Sequence, residues 1–178
     1  MYKRQAQILA LTADNSSQQI SPEDLRDAIV TLQIKYGGVF VAAGDTAPTV
    51  ISNTTDFVPL AGTYTLDTNG AQFDESAGNG LLTYTGAPDI VAVFIGQTSC
   101  IAASGTQVCK IRFEKNGADI VGSDAESIVL STGAVNAVEL GIVTLSTGDS
   151  VGLAIRNTTA GVNVTGNEIH FLAVGFAV

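Results

Sequence analysis

The sequence predicts an all-β sandwich preceded by a short N-terminal arm and helix. From Gly38 onward, short runs rich in Val, Ile, Thr, Phe and Tyr recur between turn residues, which is typical of an all-β sandwich. A good helical signal occurs once, at about residues 22–35. Charged residues make up only 14 % of the chain, against roughly 25 % in ordinary soluble domains. So few charges suit a chain that is packed within an assembly.

The first 36 residues differ in character from the rest of the chain. Ile8, Leu9 and Leu11 form one apolar cluster inside a polar stretch, which predicts an extended arm that docks on a partner by adding to an exposed sheet edge. We therefore divide the chain into an N-terminal docking segment, residues 1–36, and a β domain, residues 37–178.

A single short helix is predicted at about residues 22–35. Ser21 is a suitable N-cap, Pro22 occupies the first helical position, and Gly37-Gly38 supplies the stop. Its apolar residues recur at helical spacing and form one narrow stripe, consisting of Leu25, Ala28, Ile29 and Leu32. Stacked stripes from several copies could alternatively form the base of an oligomer.

Ten strands are predicted downstream, separated by turns. Asn116-Gly117 is a strong hairpin signal, because both residues tolerate positive φ, and Thr147-Gly148-Asp149 is a second turn. The predicted strands are Val39–Ala42, Thr49–Ser52, Thr63–Leu66, Gly80–Thr85, Ile90–Cys100, Gln107–Lys115, Ser127–Leu130, Val138–Leu145, Ser150–Asn157 and Asn167–Val178.

The last predicted strand is apolar on both of its faces. One alternate set consists of Ile169, Phe171 and Ala173, and the other consists of His170, Leu172, Val174 and Phe176. A strand with one wet face alternates apolar and polar residues, and this strand does not. Both faces are therefore expected to be buried, which predicts that another copy of the chain packs against one of them.

Charge and hydropathy exclude two classes of partner. The net charge is −9, and residues 1–36 sum to zero, so the whole excess lies in residues 37–178. A domain of that sign repels phosphate backbones, which argues against nucleic-acid binding. No segment approaches the roughly 20 apolar residues that span a bilayer, and no signal peptide is recognisable, so we expect no membrane partner and synthesis in the cytoplasm.

The residues that usually carry catalysis or bind metals are scarce. His170 is the single histidine and lies within an apolar strand, where a packed or interface role is expected rather than a catalytic one. If copies meet at an axis, a ring of His170 side chains could instead bind an ion or titrate assembly. One His and two Cys match no zinc spacing. We expect no catalytic residues, no metal and no cofactor, and the chain is not predicted to be an enzyme.

The two cysteines are predicted to lie opposite each other. A hairpin whose tight turn is Ser104-Gly105 pairs Cys100 with Cys109 across neighbouring strands. Two buried thiols are expected at synthesis, and a disulfide is possible after release into an oxidising medium.

The order of several short motifs carries a resemblance to a known family. These are residues 21–26, Gly37–Phe40, Gly80–Gly86, Phe113–Gly117, Thr147–Val151 and Arg156-Asn157, followed by the apolar last strand. Over roughly residues 21–178 the chain resembles the trimeric tumour-necrosis-factor-like jelly rolls of tailed-phage virion proteins. The resemblance implies a jelly-roll sandwich and a homotrimer with the last strand near the three-fold axis, which gives His170, Leu172, Val174 and Phe176 as interface residues.

The leading functional hypothesis is therefore a non-enzymatic virion structural protein that decorates a phage capsid or forms a head fibre. Its partners would be itself and, through Ile8, Leu9 and Leu11, the major capsid protein or another virion protein. Two alternatives remain: a tail-fibre or baseplate tip that recognises host-surface glycans, and a carbohydrate-binding module. The missing signal peptide and the missing tryptophan count against the carbohydrate-binding module, because sugar platforms usually need exposed aromatic side chains.

Overall fold

The computed structural model describes residues 35–41, 46–66, 72–75, 78–133 and 135–177. Within these ranges the regular secondary structure is entirely β, as the sequence predicts. The strands are β1 (Lys35–Val41), β2 (Pro48–Thr49), β3 (Val58–Pro59), β4 (Thr65–Leu66), β5 (Phe73–Asp74), β6 (Leu82–Tyr84), β7 (Ile90–Ala102), β8 (Thr106–Lys115), β9 (Ala118–Asp119), β10 (Ala125–Leu130), β11 (Val135–Leu145), β12 (Ser150–Asn157) and β13 (Val164–Ala177).

The strands form two antiparallel sheets that enclose one core. The first sheet has the order β11-β7-β13-β1-β4, with β2 beside β13. The second sheet has the order β10-β8-β12-β6-β5, with β3 beside β12 and β9 beside β8. The chain passes repeatedly from one sheet to the other, from β7 to β8 and then through β10, β11, β12 and β13. This arrangement is consistent with the jelly-roll sandwich that the resemblance implies.

Each of the ten predicted strands overlaps an observed one, and both predicted turns are present. Asn116 and Gly117 take φ values of 52° and 76°, and the turn joins β8 to β9. The predicted strands do not include β3, β5 or β9, which have two residues each, and only β9 is implied by the hairpin signal at Asn116-Gly117. A strand of two residues is too short to show an alternating pattern in the sequence. It forms because a neighbouring strand offers a free edge for pairing.

The predicted arm and nearly all of the predicted helix lie outside the described residues. The helix was predicted to reach residue 35, and this end is wrong, because Lys35 pairs with Gly175 in the first sheet. Strand formation is favoured there because β13 offers its edge to residues 35–41. The proposed division between residues 36 and 37 therefore falls inside β1.

The predicted pairing of Cys100 with Cys109 is wrong. β7 lies between β11 and β13 in the first sheet, whereas β8 lies between β10 and β12 in the second. The turn at Ser104-Gly105 is present, with Gly105 at a φ of 62°, and it carries the chain from one sheet to the other. A tight-turn signal marks a change of direction and does not decide whether the flanking strands pair. Both cysteines are buried and free, and the possible disulfide stays a prediction.

Aromatic rings from the two sheets meet at the centre of the core. The ring of Phe113 on β8 lies 5.5 Å from that of Phe94 and 5.8 Å from that of Phe171, measured between centroids. Phe113 also lies against two glycines of the first sheet: a Cβ added at Gly96 would come within 2.9 Å of its ring, and one at Gly141 within 3.1 Å. These glycines allow the second sheet to approach β7 and β11 closely.

Candidate assembly interface

The last strand, β13, has one buried face and one exposed face in the single chain. Ile169, Phe171 and Ala173 point into the core and are almost fully buried. The alternate set points away from the core: His170, Leu172 and Phe176 are exposed and Val174 is half-buried. The structure thus places the four predicted interface residues together on one outward face, which no described part of the chain covers.

The neighbouring strands extend this exposed surface in register. Leu172 lies opposite Ile95 of β7, and Ile95 in turn lies opposite Leu140 of β11. One step along the strands, Val174 lies beside Val93, which is opposite Ile142. Cross-strand neighbours on one face have Cβ atoms roughly 4.5–5.5 Å apart, so these side chains form continuous apolar rows across the sheet.

We call this surface the apolar face. It consists of the outward side chains of β1, β7, β11 and β13 along these rows: Tyr36, Phe40, Val91, Val93, Ile95, Val138, Leu140, Ile142, His170, Leu172, Val174 and Phe176. Seven of the eleven large hydrophobic side chains that are exposed among the described residues belong to it. Exposed apolar side chains are ordinary when scattered, whereas a contiguous patch marks an interaction site.

The apolar face carries no acidic side chain and no lysine or arginine. Between its rows lie only Gly38, Gln97 and Thr144 as further outward residues, and Glu168 stands beyond its end, opposite Ser99. The chain as a whole has a net charge of −9, so two copies repel each other wherever carboxylates meet. A surface without carboxylates is therefore suited to contact between copies.

His170 lies at one end of the apolar face, against an aromatic ring. Its imidazole stacks on the ring of Phe40, with the centroids 5.8 Å apart and the planes 17° from parallel. Gln97 lies opposite it on β7. A shallow depression of about 380 Å³ opens beside this pair and is lined by Ile95, Val138 and other residues of the same face. His170 is thus a stacked surface residue, which fits the predicted interface role.

The sequence did not nominate the part of the apolar face that β11 contributes. Val138, Leu140 and Ile142 are the most exposed large hydrophobic residues of the apolar face, at 53–65 %. Their alternation is visible in the sequence, but Glu139 occupies the intervening position, and a charged residue normally marks the wet face of a strand. The structure reverses that expectation, because Glu139 is 1 % exposed and points into the core.

Burial changes the acidity of Glu139. Desolvation raises the pKa of this carboxyl from 4.5 to about 7, partly offset by a hydrogen bond from the Thr98 side chain and one from its own backbone. The hydrogen bond from Thr98 Oγ1 to Glu139 Oε1 is long, at 3.4 Å, and Oε2 has no hydrogen-bond partner. Glu139 is therefore the least satisfied acid of the described core.

The outer face of the second sheet is built differently. We call it the charged face and define it by Lys110, Arg112, Glu114, Glu126 and Arg156. Arg112 Nη2 lies 2.6 Å from Glu114 Oε1, and Lys110 Nζ lies 3.9 Å from Glu126 Oε2. The guanidinium groups of Arg112 and Arg156 also lie 3.7 Å and 4.7 Å from the centroid of the Phe57 ring. Lys110, Arg112, Glu114 and Glu126 are thus paired within one chain, whereas Arg156 contacts Phe57 and donates to the Thr55 carbonyl oxygen.

Other candidate sites are not brought together. Ile8, Leu9 and Leu11, the predicted docking residues, lie outside the described residues. No group of three or more His, Cys, Asp and Glu side chains in the described ranges is placed to hold a metal ion. The described residues also contain no helix that is long and apolar enough to cross a membrane.

Solved structures of similar fold align with the chain at low identity. Eiger TNF from S. frugiperda gives a TM-score of 0.49 at 12 % identity, covering 81 % of this chain and 93 % of that one. Murine APRIL at pH 8.5 gives a TM-score of 0.45 at 10 % identity, covering 80 % of this chain and 99 % of that one. The PRD1 vertex protein P5 gives a TM-score of 0.43 at 9 % identity, covering 81 % of this chain and 97 % of that one. No family model and no curated protein matches the chain.

Proposed function

We propose that the chain is a non-enzymatic structural protein that self-assembles through the apolar face. The observation that carries the proposal is the apolar face, whose twelve outward side chains from four strands include no acid, lysine or arginine, on a chain whose net charge is −9; Glu168 lies on β13 beyond His170. Covering this surface with a second copy removes its apolar side chains from water, at roughly 25 cal/mol per Å² of apolar area. The number of copies, three, is taken from the resemblance.

Two isoleucines offer a matched test of this interface. Ile142 on the apolar face is 60 % exposed, and Ile128 on the outer side of the second sheet is 58 % exposed. Ile142→Asp forces a carboxylate into the proposed interface, whereas Ile128→Asp adds the same charge to a surface that stays in water. Light scattering coupled to gel filtration should give single chains for Ile142→Asp and the parental oligomer for Ile128→Asp. Identical masses for the two variants would contradict the proposal.

Within the same proposal, the assembly is a homotrimeric virion protein that decorates a phage capsid or projects from it. Synthesis takes place in the host cytoplasm, and docking uses the N-terminal segment with Ile8, Leu9 and Leu11 as anchors. Support comes from the sequence resemblance and from the distinct composition of residues 1–36. The major capsid protein or another virion protein is the docking partner.

The docking hypothesis is tested by a deletion whose end the structure defines. Removing residues 1–34 keeps all of β1, whereas removing residues 1–36 would delete Lys35 and Tyr36 from the first sheet. The shorter deletion should leave a soluble oligomer that no longer joins purified particles. Normal incorporation of the truncated protein would show that the N-terminal segment is not the docking element.

The alternative of a glycan-binding tip has less support. Sugar-binding platforms use exposed aromatic rings, and the two large exposed aromatic side chains among the described residues are Tyr36 and Phe176. Both belong to the apolar face, where assembly would cover them. The Phe57 ring is already in contact with the guanidinium groups of Arg112 and Arg156.

A further inference from the structure

Glu139 occupies a position that the proposed assembly alone does not explain. It lies on the inner side of β11, opposite Gly96, with 1 % of its surface exposed. Gly96 provides the space, since a Cβ added there would come within 3.0 Å of Glu139 Oε2. Oε2 has no hydrogen-bond partner, so this carboxyl group is held in the core without full compensation.

The groups packed around Glu139 offer it no counter-charge. From β7 it faces Thr98 and Cys100, and Phe113 of β8 and Leu153 of β12 border the same space beside Gly96. Cys109 of β8 adds a second thiol close to Cys100. Burial raises the pKa of the Cys100 thiol to about 12 and that of Cys109 to about 11, so both thiols stay neutral. No described cationic side chain lowers the pKa of Glu139.

The strand that carries Glu139 is an edge strand of the apolar face. β11 stands at the edge of the first sheet and is hydrogen-bonded only to β7 among the strands of that sheet. Val138 and Leu140, the two chain neighbours of Glu139, point outward and belong to the apolar face. A movement of β11 that brings the carboxyl group to water therefore displaces these two interface residues directly.

We propose that Glu139 makes assembly through the apolar face dependent on pH: its neutral acid keeps β11 in place, and its carboxylate displaces the strand and weakens the contact between copies. This inference rests on the proposed self-assembly. The sign of this pH dependence follows from the direction in which the pKa of Glu139 is shifted. Because burial raises the pKa above its ordinary value, the neutral form is favoured in the native sheet. The stabilisation is complete below the ordinary value of 4.5 and is lost as the pH rises through about 7.

The test measures association of the full chain by analytical ultracentrifugation at about pH 6 and about pH 8.5, beside Glu139→Gln, which keeps the shape and removes the titration. We expect the dissociation constant of the wild type to rise by about threefold or more over this interval. The rise cannot exceed about tenfold per pH unit for each protomer, because each protomer releases one proton from Glu139. For Glu139→Gln we expect no change. If Glu139→Gln does not fold, Glu139→Leu replaces it.

His170 must be separated from Glu139, because it also lies on the apolar face. His170→Gln removes this imidazole and should keep the weakening of assembly at high pH. A wild-type dissociation constant that does not change with pH, or one that changes equally in Glu139→Gln, would overturn the coupling while leaving self-assembly intact. A wild type that is a single chain at both pH values would instead overturn the proposed function.

Discussion

The two outer faces of this sandwich expose side chains of opposite character. On the charged face, Lys110 lies directly opposite Glu126 on the neighbouring strand, and Arg112 is paired with Glu114. On the apolar face, the corresponding cross-strand neighbours are Leu172 with Ile95 and Ile95 with Leu140. The charged face pairs most of its charges within one chain, whereas the side chains of the apolar face stay exposed unless another surface covers them.

The difference also shows how each face contributes energy. Ion pairs on a surface contribute roughly 0–1 kcal/mol each, so the charged face is kept for solubility more than for stability. The apolar face contributes little to the isolated chain because its side chains remain in water. Its free energy is realised on association, in proportion to the area that is covered. Substitutions on the two faces should therefore affect different measurements.

The largest effect is expected on the apolar face. Phe176→Asp places a carboxylate in a contact that has no cation to pair with it, and should weaken association by several kcal/mol. The unfolding free energy of the single chain should change little, because Phe176 is 49 % exposed before assembly. Sedimentation velocity over a concentration series and denaturant unfolding measure the two quantities separately. Unchanged association in Phe176→Asp would remove the distinction between the faces.

An intermediate effect of the reverse kind is expected on the charged face. Phe57→Ala removes the ring that contacts Arg112 and Arg156 and should lower the unfolding free energy by about 1–2 kcal/mol, since each cation–π contact contributes roughly 0.5–1 kcal/mol at exposed sites. Association should not change. Phe57→Leu serves as the control, because it keeps apolar cover and loses only the interaction with the ring. A loss of assembly in Phe57→Ala would show that the two faces are not independent.

The smallest effect is expected at the turn between β11 and β12, away from both faces. The Lys115 side chain and the Ser146 backbone N–H hold the pKa of Asp149 down, from 3.8 to about 2. A lowered pKa stabilises the fold above about pH 4, and this contribution is lost as the pH falls through about 2. Asp149→Asn should therefore lower the melting temperature at neutral pH and make no difference in strong acid. An equal loss of melting temperature at neutral pH and in strong acid would show that packing, not charge, is responsible.

The sequence predicts most of the fold because the strands alternate clearly and the turns have strong signals. It also predicts the interface residues of β13, since a strand apolar on both faces is visible without any structure. It could not predict the contribution of β11, because Glu139 is polar and is nevertheless buried. The side of a strand that faces the core depends on the packing of the whole sheet, in this case on the space left by Gly96.

The pairing of Cys100 with Cys109 failed for a related reason. Counting outward from Ser104-Gly105 assumes that consecutive strands are neighbours, which is true of β8 and β9 and untrue of β7 and β8. Both kinds of turn contain a residue with positive φ, Gly105 in one case and Gly117 in the other. Local chemistry fixes the turn, and the partners available to each strand fix the pairing.

The central claim is that copies of the chain cover the apolar face of one another. Sedimentation equilibrium of the full chain at about 10 µM tests it most directly, because an interface of this kind should have a dissociation constant of about a micromolar or lower. The account predicts a mass three times that of the chain. A mass equal to that of one chain would contradict it.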